Sequence, residues 1–187
     1  MEHKAIAIPV IQDPGGERRF LLVHDKRFRE WTFVTGGCHH REVINPIRTA
    51  IRELEEETRG VVVLRRGTYK YFKFDALQAI YHVFIFQVSM DSEYIVDRFN
   101  YEMWKMDTKQ VCFRKNYDEN DSLKFSNLAE IHDCPRLWKF IQDNVLENPE
   151  FHEALASDTE HKFSLETTDD RKQGRNFREA PQDYRSG

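Results

Sequence analysis

Four glutamates fall within residues 53–57, directly after Arg52. A helix advances about 100° per residue, so Glu53, Glu56 and Glu57 would share one face. Like charges at this spacing repel each other, and the helix macrodipole disfavours negative charge near a C-terminus. Arg52 can neutralise only part of this charge, which leaves an excess suited to a divalent cation. Hard oxygen ligands favour Mg²⁺ or Mn²⁺ over zinc, and a solvated acidic face is the alternative interpretation.

A helix that follows a glycine loop would have to position these glutamates. Asn45-Pro46 is a typical helix start, because Asn accepts from unpaired amides and Pro has the backbone angle of the first helical position. Gly36-Gly37 precedes this start, and Gly60 can cap the C-terminus. The apolar residues between them recur at helical spacing and predict a face that packs on a core; they are Ile47, Ala50, Ile51 and Leu54.

The remaining chain predicts a mixture of strands and helices. A strong turn at Asp13-Pro14-Gly15-Gly16 separates two strands that would form a hairpin ahead of the glycine loop. The predicted strands are residues 4–11, 18–24, 31–34, 61–64, 68–74 and 79–90, the last being the most apolar and therefore central. A closing amphipathic helix is predicted over residues 128–146, with a break or restart at Pro135.

The glycine pair, together with Arg52-Glu53-Leu54-Glu55-Glu56-Glu57, makes the chain resemble the Nudix hydrolase family. The family motif places glycine and glutamate ahead of an Arg-Glu-aliphatic-x-Glu-Glu segment, which this chain matches without adjustment. The first half departs from the motif, because nine residues separate Glu42 from Arg52 where the family has seven. Arg59 also stands where the family has glycine, and Thr35 replaces its usual proline.

The resemblance implies a fold and a reaction. The fold would be of the α/β (α+β) class, an α/β/α sandwich with a mixed central sheet, a catalytic loop and helix after the first hairpin, and a C-terminal helix. The reaction would be hydrolysis of the diphosphate linkage that joins a nucleoside diphosphate to another group, with Mg²⁺ or Mn²⁺ as cofactor. Tyr101-Glu102-Met103-Trp104 resembles the entry to the family's last strand.

The resemblance also assigns roles to residues of the motif. Glu56 and Glu57 would be the main metal ligands, with a backbone carbonyl of Gly37 or its neighbour. Glu53 would orient or deprotonate the attacking water, and it counts among the candidate ligands. Arg52 would hold the glutamates in place. Outside the motif, Glu102 is a candidate ligand or base, and a surface glutamate is the equal alternative.

The sequence predicts the substrate-binding residues less clearly. Arg27 and Arg29 lie in a polar loop and could meet phosphates, although a solvated loop is the alternative. Trp31 could stack on a base, but aromatic residues in strands more often belong to a core. His39 and His40 either contact a substrate phosphate or fill the lengthened loop.

Composition narrows the class of substrate. The net charge of -4 disfavours general binding to polyanions, so small nucleotides are the first expectation. Hydrolysis of the 5′ cap of RNA is the alternative, since basic residues follow Met106 and the C-terminal segment is charged. A catalytically inactive Nudix module that binds a nucleotide or a partner is the second alternative.

Chain organisation completes the prediction. We expect a catalytic domain over residues 1–147 and a polar tail or partner-binding arm over residues 148–187. Three cysteines without a CxxC pair indicate reduced thiols and a cytoplasmic protein. No apolar run is long enough for a membrane span, and the sequence does not decide between a monomer and a homodimer.

Overall fold

The computed structural model of the protein describes residues 1–109 and 115–165. The strands are β1 Glu2–Gln12, β2 Arg18–Asp25, β3 Trp31–Thr32, β4 Val34–Gly37, β5 Arg66–Ala76, β6 Ala79–Gln87, β7 Asn120–Ser126 and β8 His161–Ser164. The helices are α1 Ile47–Glu57, α2 Ser92–Lys109, α3 Leu128–His132, α4 Lys139–Ile141 and α5 Pro149–Ala156. Short 3₁₀ turns cover His40–Glu42 and Lys115–Asp118, and a π turn over Gln142–Leu146 continues α4.

One mixed sheet joins the eight strands. Its main order is β3-β2-β1-β6-β5-β8, while β4 pairs with β1 and β7 pairs with β2. The pairing of β1 with β6 is parallel and the other pairings are antiparallel. β6 lies between β1 and β5, which confirms that the most apolar segment is a central strand.

Helices cover both faces of the sheet, as strand alternation requires. Ala5 and Ala7 face a core that includes the apolar stripe of α1 and residues Ile95 and Phe99 of α2. Ile6, Ile8 and Val10, on the other face of β1, pack in a second core with residues of α3, α4, the π turn and α5. The predicted α/β/α sandwich with a mixed sheet is therefore confirmed. No helix in the described ranges is long and apolar enough to cross a membrane.

Two predicted strand segments are not strands. Residues 61–64 are irregular, because Val62 is buried by packing on the α1 side while its N–H donates to Thr58 Oγ1 at 3.0 Å instead of to a sheet. Tyr101-Glu102-Met103-Trp104 lies within α2, where Ile95 and Phe99 point into the core one helical turn apart. The next strand along the chain in the described residues is β7, which pairs with β2.

The closing helix is broken as predicted. Asn127 caps α3 by accepting from Glu130 N at 2.8 Å, and the chain leaves helical geometry around Pro135 before α4 begins. The predicted apolar face packs on the second core, with Ile131, Ile141 and Val145 fully buried.

The beginning of the predicted tail is part of the folded domain. Asn148 caps α5, whose residues Phe151 and Leu155 are buried in the second core. Residues 161–164 then form β8 against β5. The ordered domain therefore extends beyond residue 147, while residues 166–187 of the predicted tail lie outside the described residues.

Candidate active site

Arg52 makes four hydrogen bonds to glutamates and a fifth to the glycine strand. Its Nε and Nη2 donate to the two carboxylate oxygens of Glu42 at 3.1 and 3.0 Å. Its Nη1 donates to Glu53 Oε1 at 2.9 Å and to Glu56 Oε2 at 3.4 Å. The same Nη2 donates to the carbonyl of Gly37 at 3.1 Å. Arg52 thus connects the glycine loop to the glutamate face of α1, and its positioning role in catalysis stays a prediction.

Glu42 belongs to this group despite the lengthened loop. The 3₁₀ turn over His40–Glu42 takes up the additional residues and directs the Glu42 carboxylate toward Arg52. Burial alone would raise the pKa of Glu42, but hydrogen bonds from Arg52 and from the His39 N–H lower it overall. Glu42 therefore takes the position of the motif's first glutamate, with five residues between it and Gly36.

Gly36 lies directly against the Glu53 side chain. A Cβ atom at Gly36 would overlap the Glu53 carboxylate, whereas the nearest atom to a Cβ at Gly37 is Glu2 Oε1 at 4.0 Å. This close approach requires glycine at position 36 but not at position 37. It brings β4 against the glutamate face of α1.

We expect Gly36→Ala to lower turnover by about 10- to 100-fold, because the methyl group displaces Glu53 and breaks its contact with Arg52. Gly15→Ala, in the exposed turn between β1 and β2 and outside the site, is the control, and its turnover should stay within about twofold of wild type. Steady-state kinetics and thermal melts of both variants provide the measurement. Equal effects of the two substitutions would contradict the steric explanation.

Glu57 is the most deeply buried of these glutamates, at 8% exposure. Its burial and the nearby charges of Glu53 and Glu119 raise the pKa of the carboxyl well above its ordinary value. Asn120 donates its side-chain amide to the Glu57 carbonyl at 3.2 Å. Across the described residues, no ion pair involves Glu57. A buried carboxylate without a cation partner is costly, so the site is suited to an added positive charge.

The pKa of Glu53 is also raised. Burial raises the pKa of its carboxyl, the charges of Glu56 and Glu119 raise it further, and Arg52 opposes the rise, with a resulting pKa of about 7. A carboxyl group with this pKa can exchange a proton near neutral pH.

Two further carboxylates join the site from outside the motif. Burial and the charges of Glu56 and Asp25 raise the pKa of Glu119, and the charge of Asp25 also contributes to the raised pKa of Glu57. Sequence reasoning missed both residues. The only available signal was the acidic run of residues 118–121, which resembles an ordinary polar loop.

A cavity of about 340 Å³ opens beside these carboxylates. Carboxylates, the glycine strand and three aromatic residues share its wall. The lining residues that matter here are Gly36, Gly37, Glu57, Glu119, Asp25, Glu30, Phe28 and Trp138. Its size lies within the range of small-molecule sites, and its aromatic residues offer faces on which a flat ring can stack.

The predicted phosphate-binding arginines lie next to the cavity in sequence, but they do not line it. Arg27 is exposed and its guanidinium lies 5.1 Å from the centre of the Phe28 ring. Arg29 is exposed in a left-handed turn with φ of 55°. The same loop contributes Phe28 and Glu30 to the cavity wall.

The other predicted substrate residues have local contacts. Trp31 packs against His24, with ring centres 5.0 Å apart, and lies under Lys124 at 4.1 Å. The His39 N–H donates to Glu42 Oε1 at 2.9 Å, so His39 supports the 3₁₀ turn. His40 is exposed. None of the three lines the cavity.

The structure does not join Glu102 to the glutamates of α1. Its two oxygens pair with Arg98 at 3.1 Å and with Lys105 at 3.0 Å on the same helix. Among the described residues, no hydrogen bond or ion pair links Glu102 to Glu53 or Glu57. Its contacts are those of an ion-paired helix surface.

The chemistry of the donors fits a divalent cation, although they are not gathered around one point. No three His, Cys, Asp or Glu side chains within residues 1–109 and 115–165 are arranged to hold a metal ion. Arg52 occupies oxygens of Glu53 and Glu56, while Glu57 and Glu119 have no ion-pair partner in the same ranges. Hard oxygen donors with excess negative charge are those that Mg²⁺ prefers.

Comparisons with known proteins identify the family and the fold. Residues 1–147 match the family model described as the NUDIX domain. A Nudix hydrolase from M. smegmatis, RenU, shares the fold with a TM-score of 0.56 and 12% identity over 83% of this chain and 87% of that chain. An Ap4A hydrolase from C. elegans is also similar, with a TM-score of 0.46 and 14% identity over 83% of this chain and 93% of that chain. A MutT protein from Methanosarcina mazei Go1 has a TM-score of 0.47 and 18% identity over 83% of this chain and 96% of that chain. A search of curated proteins gave no match.

Proposed function

The chain belongs to the Nudix family and is a hydrolase of pyrophosphate bonds in nucleotide-like substrates; we propose that its substrates are small nucleotides and that its activity depends on Mg²⁺ or Mn²⁺. The observation that carries this proposal is the buried Glu57. Its carboxylate lacks a cation partner in the described residues and lies beside glutamates that Arg52 holds in place.

The proposed site assigns each residue a task. Glu56 and Glu57 would hold the cation together with the carbonyl of Gly37, which accepts one hydrogen bond from Arg52 and has a second lone pair. When bound, Mg²⁺ or Mn²⁺ would supply charge neutralisation at the phosphates and a more acidic water. Arg52 keeps Glu53 and Glu56 at a fixed distance from the glycine strand.

Glu53 is the proposed proton acceptor. The oxygen of water attacks one phosphorus of the linkage, the bond from that phosphorus to the bridging oxygen breaks, and Glu53 takes the proton of the water. A pKa of about 7 suits this task near neutral pH, because a general base works best with a pKa near the working pH. The products are two phosphate-bearing compounds, one of which retains the nucleoside.

The cavity supports a small nucleotide. A volume of about 340 Å³ is of the size that holds a nucleoside, and Phe28 and Trp138 offer aromatic faces for a base. Few cationic residues line it, with Lys4 contributing the positive charge. A nucleotide would therefore place its phosphates toward the cation and its base toward the aromatic residues.

Product analysis tests this proposal. Purified protein would be incubated with Mg²⁺ or Mn²⁺ and nucleoside triphosphates, a nucleoside diphosphate sugar, a dinucleoside polyphosphate or cap-labelled RNA. We expect metal-dependent release of a nucleoside phosphate from one of the free nucleotides. Cleavage of capped RNA alone would overturn the small-nucleotide assignment, and metal binding without turnover of any substrate would indicate an inactive binding module.

We expect metal binding to weaken on acidification. In the metal-free protein the pKa of Glu53 is about 7, raised chiefly by burial, so the folded state holds a proton that the unfolded chain releases near pH 4.5. The stability of the metal-free protein should therefore fall as pH rises through about 7. A bound cation offsets that penalty, so saturating Mg²⁺ should raise the melting temperature more at pH 8 than at pH 6. An equal rise at both pH values would contradict this expectation.

A further inference from the structure

Arg59 stands at the position where the family motif has glycine, and its backbone has the corresponding conformation. Its φ is 56°, in the left-handed region that a side chain rarely adopts. The Arg59 N–H donates to the Glu56 carbonyl at 3.2 Å and ends α1. An arginine at such a position needs compensating interactions.

Those interactions come from a buried guanidinium. The Arg59 side chain is 2% exposed, and its Nη2 donates to the Asn120 carbonyl at 2.7 Å and to Asp118 Oδ1 at 3.1 Å. Its other Nη contacts the sulfur of Met106, and the group lies 5.2 Å from the centre of the Phe99 ring. Arg59 therefore ties the end of α1 to residues 118–120 and to α2.

Residues 118–120 are held on both sides of Glu119. On one side, Lys26 Nζ donates to Asp118 at 3.0 Å and the Lys26 N–H donates to the Glu119 carbonyl at 3.0 Å. On the other side, Asn120 is buried and donates to the Glu57 carbonyl. Glu119 consequently lines the same cavity as Glu57.

We propose that Arg59 is a positioning residue that fixes residues 118–120, so that Glu119 adds a carboxylate to the cation site of Glu56 and Glu57. This inference rests on the proposed function. A glycine could adopt the same backbone conformation but could not reach Asp118 or the Asn120 carbonyl. The departure from the motif thus has a use in this chain, because it fixes a carboxylate that comes from a distant part of the sequence.

Arg59→Gly is the most informative substitution. It removes the side chain while relieving the left-handed backbone, since glycine adopts positive φ without strain. We expect the variant to bind Mn²⁺ about 10-fold more weakly and to lose about 10- to 100-fold in kcat. Glu119→Gln should show the same two effects. Glu153→Gln, on the exposed side of α5, is the control for removing one negative charge.

The double variant separates positioning from general stability. If Arg59 acts through Glu119, Arg59→Gly should change neither the Mn²⁺ affinity nor the kcat of a protein that already carries Glu119→Gln. Mn²⁺ affinity is measured by electron paramagnetic resonance, which needs no turnover. Additive losses in the double variant, or a wild-type Mn²⁺ affinity for Arg59→Gly, would overturn the inference.

A second variant guards against a folding defect. Asp118→Asn removes the ion pair but leaves the bond from Arg59 to the Asn120 carbonyl, so we expect a smaller loss of Mn²⁺ affinity in the same direction. An unchanged Mn²⁺ affinity in this variant would count against the inference. The proposed function fails separately, if Glu57→Gln binds Mn²⁺ as tightly as wild type or if the wild-type protein hydrolyses no substrate.

Discussion

Replacing Glu57 with Gln should lower turnover on the order of 10³-fold, the scale seen when a group that stabilises transition-state charge is removed. The amide keeps the shape of the side chain but cannot supply the negative charge that we assign to the cation site. In the metal-free protein the same change removes a carboxyl whose ionisation is opposed by burial and by the charges of Glu53 and Glu119, which raise its pKa. The melting temperature at pH 8 without metal should therefore stay equal or rise.

Glu55→Gln is the matched control, because Glu55 lies on the same helix and makes no ion pair within the described residues. Its turnover should remain within about twofold of wild type. The expected signature of Glu57→Gln is lost activity, lost stabilisation by Mg²⁺ and retained stability without metal. Turnover near the wild-type value in this variant would exclude Glu57 as a ligand.

Replacing Arg52 with Lys should lower kcat by about 10- to 100-fold, the usual effect of losing a residue that orients metal ligands. Lysine keeps the charge but cannot bind the two oxygens of Glu42 in parallel and still reach Glu53 and Gly37. We also expect a loss of roughly 1–2 kcal/mol in the free energy of unfolding, or about 2–8 °C in melting temperature.

Arg41→Lys provides the comparison for Arg52, because Arg41 is exposed in the adjacent 3₁₀ turn. This control should leave both kcat and the melting temperature unchanged. A wild-type kcat in Arg52→Lys, with Arg41→Lys also normal, would show that the charge alone suffices and that the five directed bonds have no catalytic importance.

The helical half of the site could be predicted from the sequence because helical spacing is a local property. Ile47 and Leu54 fix which face of α1 is buried, and that choice fixes where Glu53 and Glu57 point. The contact of Gly36 with Glu53 also depends on segments that are close in sequence, since β4 leads through the loop directly into α1. The roles proposed for these glutamates remain predictions until a metal or substrate is tested.

Glu119 could not be predicted, because its place depends on contacts between distant segments. β7 pairs with β2, and Arg59 holds the residues at the start of β7, so Glu119 reaches the site only in the folded chain. The sequence instead offered Glu102 as a candidate, with a surface glutamate as the equal alternative, because Tyr101-Glu102-Met103-Trp104 resembles the entry to the family's last strand. That segment is helical because Ile95 and Phe99 bury one face of α2.

Composition also misled at the end of the domain. The sequence after α5 is mainly polar, whereas α5 itself contains apolar residues, of which Phe151 and Leu155 are buried in the second core. A short apolar helix followed by a long polar segment resembles a tail when only the average composition is considered. Packing on the sheet decides its structure.

Hydrolysis in isotopically labelled water is the most direct test of the central claim. Wild-type protein and Glu57→Gln would be incubated with a free nucleotide substrate and Mg²⁺, with and without a chelator, and the products would be analysed by mass spectrometry. We expect heavy oxygen from water to enter one phosphate-bearing product with wild type and Mg²⁺, with release on the order of 10³-fold slower in Glu57→Gln and abolished by the chelator. Product formation near the wild-type rate with the chelator, or in Glu57→Gln, would contradict a cation held by the glutamates of α1.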